Sequence, residues 1–334
     1  MKKIGVLGAG TFGMSMARML CVHGNDVQVW SALPQEIDDL IATKRHPNLP
    51  GMIVPDEMRY TKDLEEVCTG KDMVLVIIPS VFLRGTAKKA AQFIPENTIV
   101  IEGAKGLEKG TNMTLSQVFE EEMGGKHIRS VVLAGPTHAE EVALDQPMCF
   151  VASSKDQEAA KAVQEAFSND ITRVYTNDDP LGVCLCGTFK NILALASGML
   201  LGLGYGDSIR AALITRGVME MTHLGLKLGC KRETFMGLTG VGDTIVTAMS
   251  LNSRNCRCGK LIGEGKTLDE ALKEVGQTVE GVNTLPAALE LSAKYGVNVP
   301  LTQAVQDVLY NGRDPRKVLT ELMTSPAGCE YDFV

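Results

Sequence analysis

The chain has 334 residues, 45% hydrophobic and 22% charged, with 40 acidic against 33 basic side chains and a formal charge of −7. That length predicts two domains, the acidic balance excludes broad nucleic-acid binding, and no apolar stretch reads as a stable membrane span. Nine cysteines, an odd number without a repeated spacing, predict reduced thiols in a cytoplasmic setting.

The first element is a strand, Ile4 to Leu7, running into Gly8-Ala9-Gly10-Thr11-Phe12-Gly13 and then a helix from Met14 to Leu20. Lys2 and Lys3 ahead of apolar residues imitate an export signal. Arg18 and the glycines interrupt that run, and no small-residue cleavage site follows. The glycine spacing is G-x-G-x-x-G between a strand and a helix. Gly8 permits the tight turn, Gly10 lets the backbone approach a pyrophosphate, and Gly13 lets helix and strand pack closely. The stretch is therefore expected to bind a dinucleotide.

Further strands are predicted at Asp26–Trp30, Met73–Pro79, Thr98–Ile101, Ser130–Leu133 and Met148–Val151, with helical patterns between them such as Lys155–Phe167. The uninterrupted apolar run at Met73 suits a strand covered on both faces. Strand–helix alternation of this length predicts an α/β domain with a doubly wound, Rossmann-like parallel sheet. Near Pro180 the pattern changes. Leu181–Leu201, Ser208–Leu228, Leu268–Val275, Leu285–Tyr295, Thr302–Tyr310 and Pro315–Met323 all read as helices. The division is set at residues 1–185 for a dinucleotide-binding domain and 186–334 for an all-α substrate and catalytic domain. The ligand site is expected at the carboxyl ends of the strands, in a cleft beside the helical domain. The tail from Ser325, with Tyr331 and Phe333, is expected to fold back on the helices.

Two Cys-x-Cys pairs, Cys184/Cys186 and Cys256/Cys258, have one residue between the sulfurs where structural zinc sites use two to four. They are read as buried free thiols, and no metal site is predicted.

Four stretches do not look like core: Gly103-Ala104-Lys105-Gly106-Leu107-Glu108, Ala134-Gly135-Pro136-Thr137-His138-Ala139-Glu140-Glu141, Gly187-Thr188-Phe189-Lys190-Asn191, and Gly240-Val241-Gly242-Asp243 through Ser253-Arg254-Asn255. Lys190 sits within an apolar helix, so it either snorkels to water or faces a polar cavity. In a cavity, burial and a cation such as Lys105 would lower its pKa and fit it to trade a proton with a hydroxyl or carbonyl. Arg254 suits bidentate phosphate binding, with Ser253 and Asn255 as neutral donors. Asp243 either orients Lys190, holds a substrate hydroxyl, or caps a helix. His138 receives no proton-transfer role.

In this order, GAGTFG, AKGLE, GPTHAEE, FKN, GVGD, SRN and VEG resemble the motifs of bacterial-type NAD(P)-dependent glycerol-3-phosphate dehydrogenases, from Gly8 to about Arg313. The resemblance implies interconversion of dihydroxyacetone phosphate and sn-glycerol 3-phosphate, which supplies phospholipid synthesis, in a cytoplasmic homodimer. It implies Lys190 as the proton-exchanging residue. Lys105, Gly135, Thr137, Asp243, Ser253, Arg254 and Asn255 match substrate positions. Thr11, Phe12, Lys105, Ala139, Arg254, Val279 and Glu280 match cofactor positions beside the fingerprint glycines. Phe12 stands where relatives often carry Trp or Tyr. After the second strand, Trp30-Ser31-Ala32-Leu33 offers neither an acid for NAD nor an Arg for NADP; Glu36 and Asp38 come later, on the next helix. The choice between NAD and NADP is open, and use of both is expected. Two competing readings are a β-hydroxyacid dehydrogenase, which would need a carboxylate substrate, and a non-catalytic nucleotide-sensing module, which would need no Lys190.

Overall fold

A computed structural model describes residues 1–326 and 328–330. The chain divides into two compact units, one of residues 1–105 with 113–180, the other of 106–112 with everything from Leu181 onward. A single cut between 185 and 186 is therefore replaced. It would fall inside helix Pro180–Gly202, whose Leu185 already belongs to the second core, and Leu107 joins that core as well.

Among the described residues the first unit forms eight strands: β1 Lys3–Leu7, β2 Asp26–Trp30, β3 Arg59–Thr61, β4 Met73–Val76, β5 Ile99–Glu102, β6 Arg129–Ala134, β7 Met148–Ser153 and β8 Thr172–Asn177. Its helices are α1 Thr11–Val22, α2 Pro34–Thr43, α3 Leu64–Cys68, α4 Ser80–Ala90, α5 Leu115–Glu122, α6 Ala139–Ala143 and α7 Gln157–Phe167. The strands make one sheet in the order β3-β2-β1-β4-β5-β6-β7-β8. Alternate side chains of the central strands feed two cores. Met73, Leu75, Ile99 and Ile101 enter one; Val74, Val76 and Val100 enter the other. A sheet buried on both faces explains the unbroken apolar runs.

The expected doubly wound sheet is present, but not wholly parallel: β7 pairs antiparallel with β6 and parallel with β8. The link from β6 to β7 holds only the five-residue α6, which packs on α1. It is too short to lay a crossover on the sheet, so the chain turns back.

The second unit is helical: α8 Pro180–Gly202, α9 Asp207–Lys227, α10 Arg232–Met236, α11 Asp243–Met249, α12 Arg254–Gly263, α13 Leu268–Val275, α14 Glu280–Lys294, α15 Pro300–Tyr310 and α16 Pro315–Thr324, with a π-helical turn at Leu238–Gly242. α8 is long and apolar enough to cross a membrane by length and composition, which corrects the sequence reading, yet it is buried as the axis of this unit. Its glycines let α12 approach backbone to backbone. A Cβ at Gly198 would stand 2.1 Å from the Cys256 carbonyl, and one at Gly259 would stand 2.0 Å from the Leu195 carbonyl. The predicted start of α14 at Leu285 is corrected to Glu280, with Pro286 inside the helix. Proline leaves the carbonyl four residues earlier without its helical donor. Tyr310 Oη supplies one, donating to the Val282 carbonyl at 3.3 Å.

The Cys-x-Cys residues lie within or beside the helical core. None is in a disulfide; Cys186, Cys256 and Cys258 are buried as expected, Cys184 only partly, and burial pushes Cys258 up to about 11. In the tail, Arg216 Nη1 donates to the Glu330 carbonyl at 2.7 Å; Tyr331 and Phe333 lie outside the described residues.

Candidate active site

The predicted residues fall into two sets, one per unit. In the first unit they stand at the carboxyl ends of parallel strands. Gly8 follows β1 with φ +121°, and a Cβ there would lie 2.2 Å from the Ile77 carbonyl. Gly13 passes so close to the Gly8 carbonyl that a Cβ would come within 2.0 Å of its oxygen. Gly10 has open space within 4 Å, and the first turn of α1 carries no side-chain cap. Two glycines packed by necessity, one facing open space and a helix N-terminus with unclaimed N–H groups fit a dinucleotide's pyrophosphate.

Thr11 and Ala139, far apart in sequence, are brought together by Ser15, whose hydroxyl lies 2.9 Å from the Thr11 carbonyl and 2.7 Å from that of Ala139. His138 is the N-cap residue of α6, and its side chain makes no cap hydrogen bond. Gly135 and Thr137 follow β6, and the Thr137 hydroxyl donates to the Gly135 carbonyl at 3.4 Å. A Cβ at Gly135 would meet the Cys149 carbonyl at 2.4 Å, so glycine is required there. Phe12 packs against the sheet core.

Lys105 follows β5 and is half-buried. Its loop begins at Glu102, which is 2% exposed. Glu102 Oε1 accepts the Ala104 N–H at 2.7 Å, while Oε2 has no protein partner. Burial pushes this carboxyl up to about 8, with the Ala104 N–H opposing.

In the second unit the deciding feature is a buried ion pair. Lys190 is 3% exposed and Asp243 0%. Lys190 Nζ donates to Asp243 Oδ1 and, at 3.0 Å, to Thr247 Oγ1. The Thr247 hydroxyl donates in turn to the Asp243 carbonyl at 2.6 Å. Of the two sequence readings, snorkelling to water is excluded: Lys190 is held in a buried polar cluster. Asp243 does not cap a helix: Gly242 holds that place, and Asp243 is the first residue of α11. The π-helical turn before it, with Gly240 pressed against the Phe235 carbonyl, delivers Asp243 inward. The other end of α11 is also held. Arg210 Nη2 and Ser197 Oγ donate to the Ala248 carbonyl at 2.9 and 2.8 Å.

Ser253, Arg254 and Asn255, read from the sequence as a donor cluster, are the N-cap and first turn of α12. Ser253 Oγ accepts the Cys256 N–H at 3.2 Å. Arg254 is exposed at the helix N-terminus. Asn255 is buried and bonded at both ends, donating to Asn191 Oδ1 at 3.0 Å and accepting the Gly281 N–H at 2.8 Å. Through it α8, α12 and α14 share one polar joint. Val279 and Glu280 are the N-cap and first residue of α14, beside that joint.

The family model for the N-terminus of NAD-dependent glycerol-3-phosphate dehydrogenases matches residues 3–160, and the model for their C-terminus matches 179–320. The chain belongs to the NAD-dependent glycerol-3-phosphate dehydrogenase family. An NAD(P)+ glycerol-3-phosphate dehydrogenase of Lactobacillus delbrueckii subsp. bulgaricus is 54% identical over 327 residues, 97% of each chain. One from Agathobacter rectalis is 44% identical over 332 residues, 99% of this chain and 98% of the relative. The crystal structure of glycerol-3-phosphate dehydrogenase from Coxiella burnetii superposes with a TM-score of 0.90 at 35% identity, covering 97% of this chain and 99% of that one. A 3-hydroxyisobutyrate dehydrogenase from Mycobacterium tuberculosis, at 13% identity and a TM-score of 0.54, shares the fold alone.

The family expected from seven spaced motifs is the family found, and with it an NAD(P)-dependent enzyme acting on a small phosphorylated substrate. Sequence reasoning missed Thr247, although its place four residues after Asp243 puts both on one helix face. It also missed Asn48, whose Nδ2 donates to Thr11 Oγ1 at 3.3 Å beside the glycine loop. No periodicity marks that residue.

Proposed function

We propose that this dehydrogenase interconverts dihydroxyacetone phosphate and sn-glycerol 3-phosphate with Lys190 as its proton-exchanging group. Bound NAD(P)H supplies the hydride that reaches the carbonyl carbon. Lys190 Nζ gives the proton to the carbonyl oxygen, and solvent returns it; in the reverse direction Lys190 takes the proton from the hydroxyl. Asp243 and Thr247 hold the ammonium in place. Arg254, exposed at the first turn of α12, takes the phosphate together with Lys105, and Ser253 and Asn255 fix that turn. Gly135 and Thr137 border the substrate. Gly8, Gly10, Thr11, Phe12, Gly13 and Ala139, with Arg254, Val279 and Glu280, border the cofactor. The protein works in the cytoplasm as a homodimer and supplies phospholipid synthesis; its free thiols suit a reducing compartment.

The observation that carries this reading is the buried Lys190–Asp243–Thr247 cluster in a chain of this family. The test follows loss of reduced-nicotinamide absorbance with dihydroxyacetone phosphate. Wild type consumes NADH or NADPH. Lys190→Ala loses about a thousandfold or more in kcat, roughly 4 kcal/mol of barrier, while its cofactor Kd stays within a few fold. Unchanged turnover defeats the role of Lys190. Light scattering tests the dimer.

A further inference from the structure

The sequence places no acid at the end of β2, but helix α2 delivers one there. Ser31, the residue after β2 and 6% exposed, donates its hydroxyl to Glu36 Oε2 at 2.5 Å. The Ser31 hydroxyl oxygen in turn accepts the N–H of Leu33, the N-cap of α2, at 3.1 Å. Glu36, half-buried in the first turn of that helix, is therefore folded back onto the carboxyl end of β2. β2 is the neighbour of β1, the strand that carries the glycine loop. Glu36 also acts on His46, which the backbone of Ala9 in that loop reaches. Burial holds His46 below the usual imidazole range, and the two influences opposing it are the Ala9 backbone, within the loop, and Glu36. Two cations of this neighbourhood already have acidic partners: Lys62 with Asp38 at 2.6 Å and Lys44 with Asp56 at 3.0 Å. Arg45 is exposed and outside these pairs.

We infer that Glu36, tied to the end of β2 by Ser31, makes this enzyme prefer NAD to NADP. The inference rests on the dinucleotide site proposed above. A carboxylate at the end of the second strand accepts hydrogen bonds from the 2′- and 3′-hydroxyls of an adenosine ribose. A 2′-phosphate removes one of those donors and sets negative charge against negative charge. The Ser31 hydrogen bond fixes the carboxylate, so it cannot swing away without losing that partner. An acid carried on the helix thus does the work expected of one on the strand.

The test is calorimetric binding of NADH and NADPH to the full-length protein at one low ionic strength, because salt screens such repulsion. The proteins compared are wild type, Glu36→Gln, Ser31→Ala and Arg45→Ala. Wild type is expected to bind NADH at least tenfold more tightly than NADPH. Glu36→Gln brings the two within about threefold, chiefly by tightening NADPH, and Ser31→Ala falls between them. Equal or tighter binding of NADPH by wild type overturns the inference, as does an unchanged ratio in Glu36→Gln. A ratio that moves only in Arg45→Ala overturns it too, by giving selectivity to the cation. Failure of wild type to bind either nucleotide contradicts the dinucleotide site itself, and so separates that failure from this one.

Discussion

The two units present their functional groups in different materials. In the sheet unit the dinucleotide region is mostly backbone: glycines at Gly8, Gly10 and Gly13, the N-terminus of α1, and loops leaving β5 and β6. In the helical unit the candidate site rests on side chains inside a packed interior: Lys190 on α8, Asp243 and Thr247 on α11, Asn191 and Asn255 across α8 and α12. Backbone sites are set by steric fit. Buried side-chain sites are set by mutual satisfaction, so removing one partner leaves another charged or polar group stranded.

This contrast predicts a gradient of damage. The largest stability effect belongs to Asp243→Ala, which takes the carboxylate away from the buried Lys190 ammonium. It should cost about 3–5 kcal/mol in urea denaturation along with most of the activity. A loss under 1 kcal/mol would mean that water reaches the pair, and the contrast would blur. Next is Gly198→Val, which forces side-chain atoms against the Cys256 carbonyl. It should destabilise by roughly 2–3 kcal/mol and shift KM for the phosphorylated substrate, because α12 carries Arg254.

A smaller effect sharpens the sheet side. Glu102 is a buried carboxylate there, pushed up to about 8. Its folded pKa lies above the unfolded value near 4.5, so its favourable contribution is full below about pH 4.5 and fades as pH rises through about 8. Glu102→Gln keeps an acceptor for the Ala104 N–H and cannot ionise. The melting temperature of the variant, minus that of wild type, should therefore rise between pH 5 and 8.5, by the equivalent of roughly 2–4 kcal/mol at most. A difference independent of pH would show that Glu102 ionises freely.

The same contrast explains what the sequence disclosed. Glycine spacing encodes backbone conformation directly, so the β1–α1 turn was legible from GAGTFG. The central strands were legible because burial on both faces leaves continuous apolar runs. The edge strands β3 and β8 were not: β8 alternates buried Thr172 and Val174 with exposed Arg173 and Tyr175, and β3 is three residues long. Helix α12 was hidden because its first turn holds Ser253, Arg254 and Asn255, residues that also populate loops. That Lys190 is chemically special was visible from its apolar surroundings. That Asp243 orients it was one of three sequence readings, undecided because the π-helical turn that aims Asp243 inward has no periodic signature, and Thr247 was missed. The placement of Glu36 at the end of β2 depends on one side-chain hydrogen bond to Ser31, which no spacing rule announces.

The most direct test of the central claim, that Lys190 and Asp243 act as one catalytic unit, is a double-mutant cycle. Turnover of dihydroxyacetone phosphate is measured for wild type, Lys190→Met, Asp243→Asn and the double variant, with folding checked by circular dichroism. A single unit predicts that the double variant is about as impaired as Lys190→Met alone, so the losses fall short of additivity by a hundredfold or more. Losses that multiply independently, in four proteins that all fold, would contradict it.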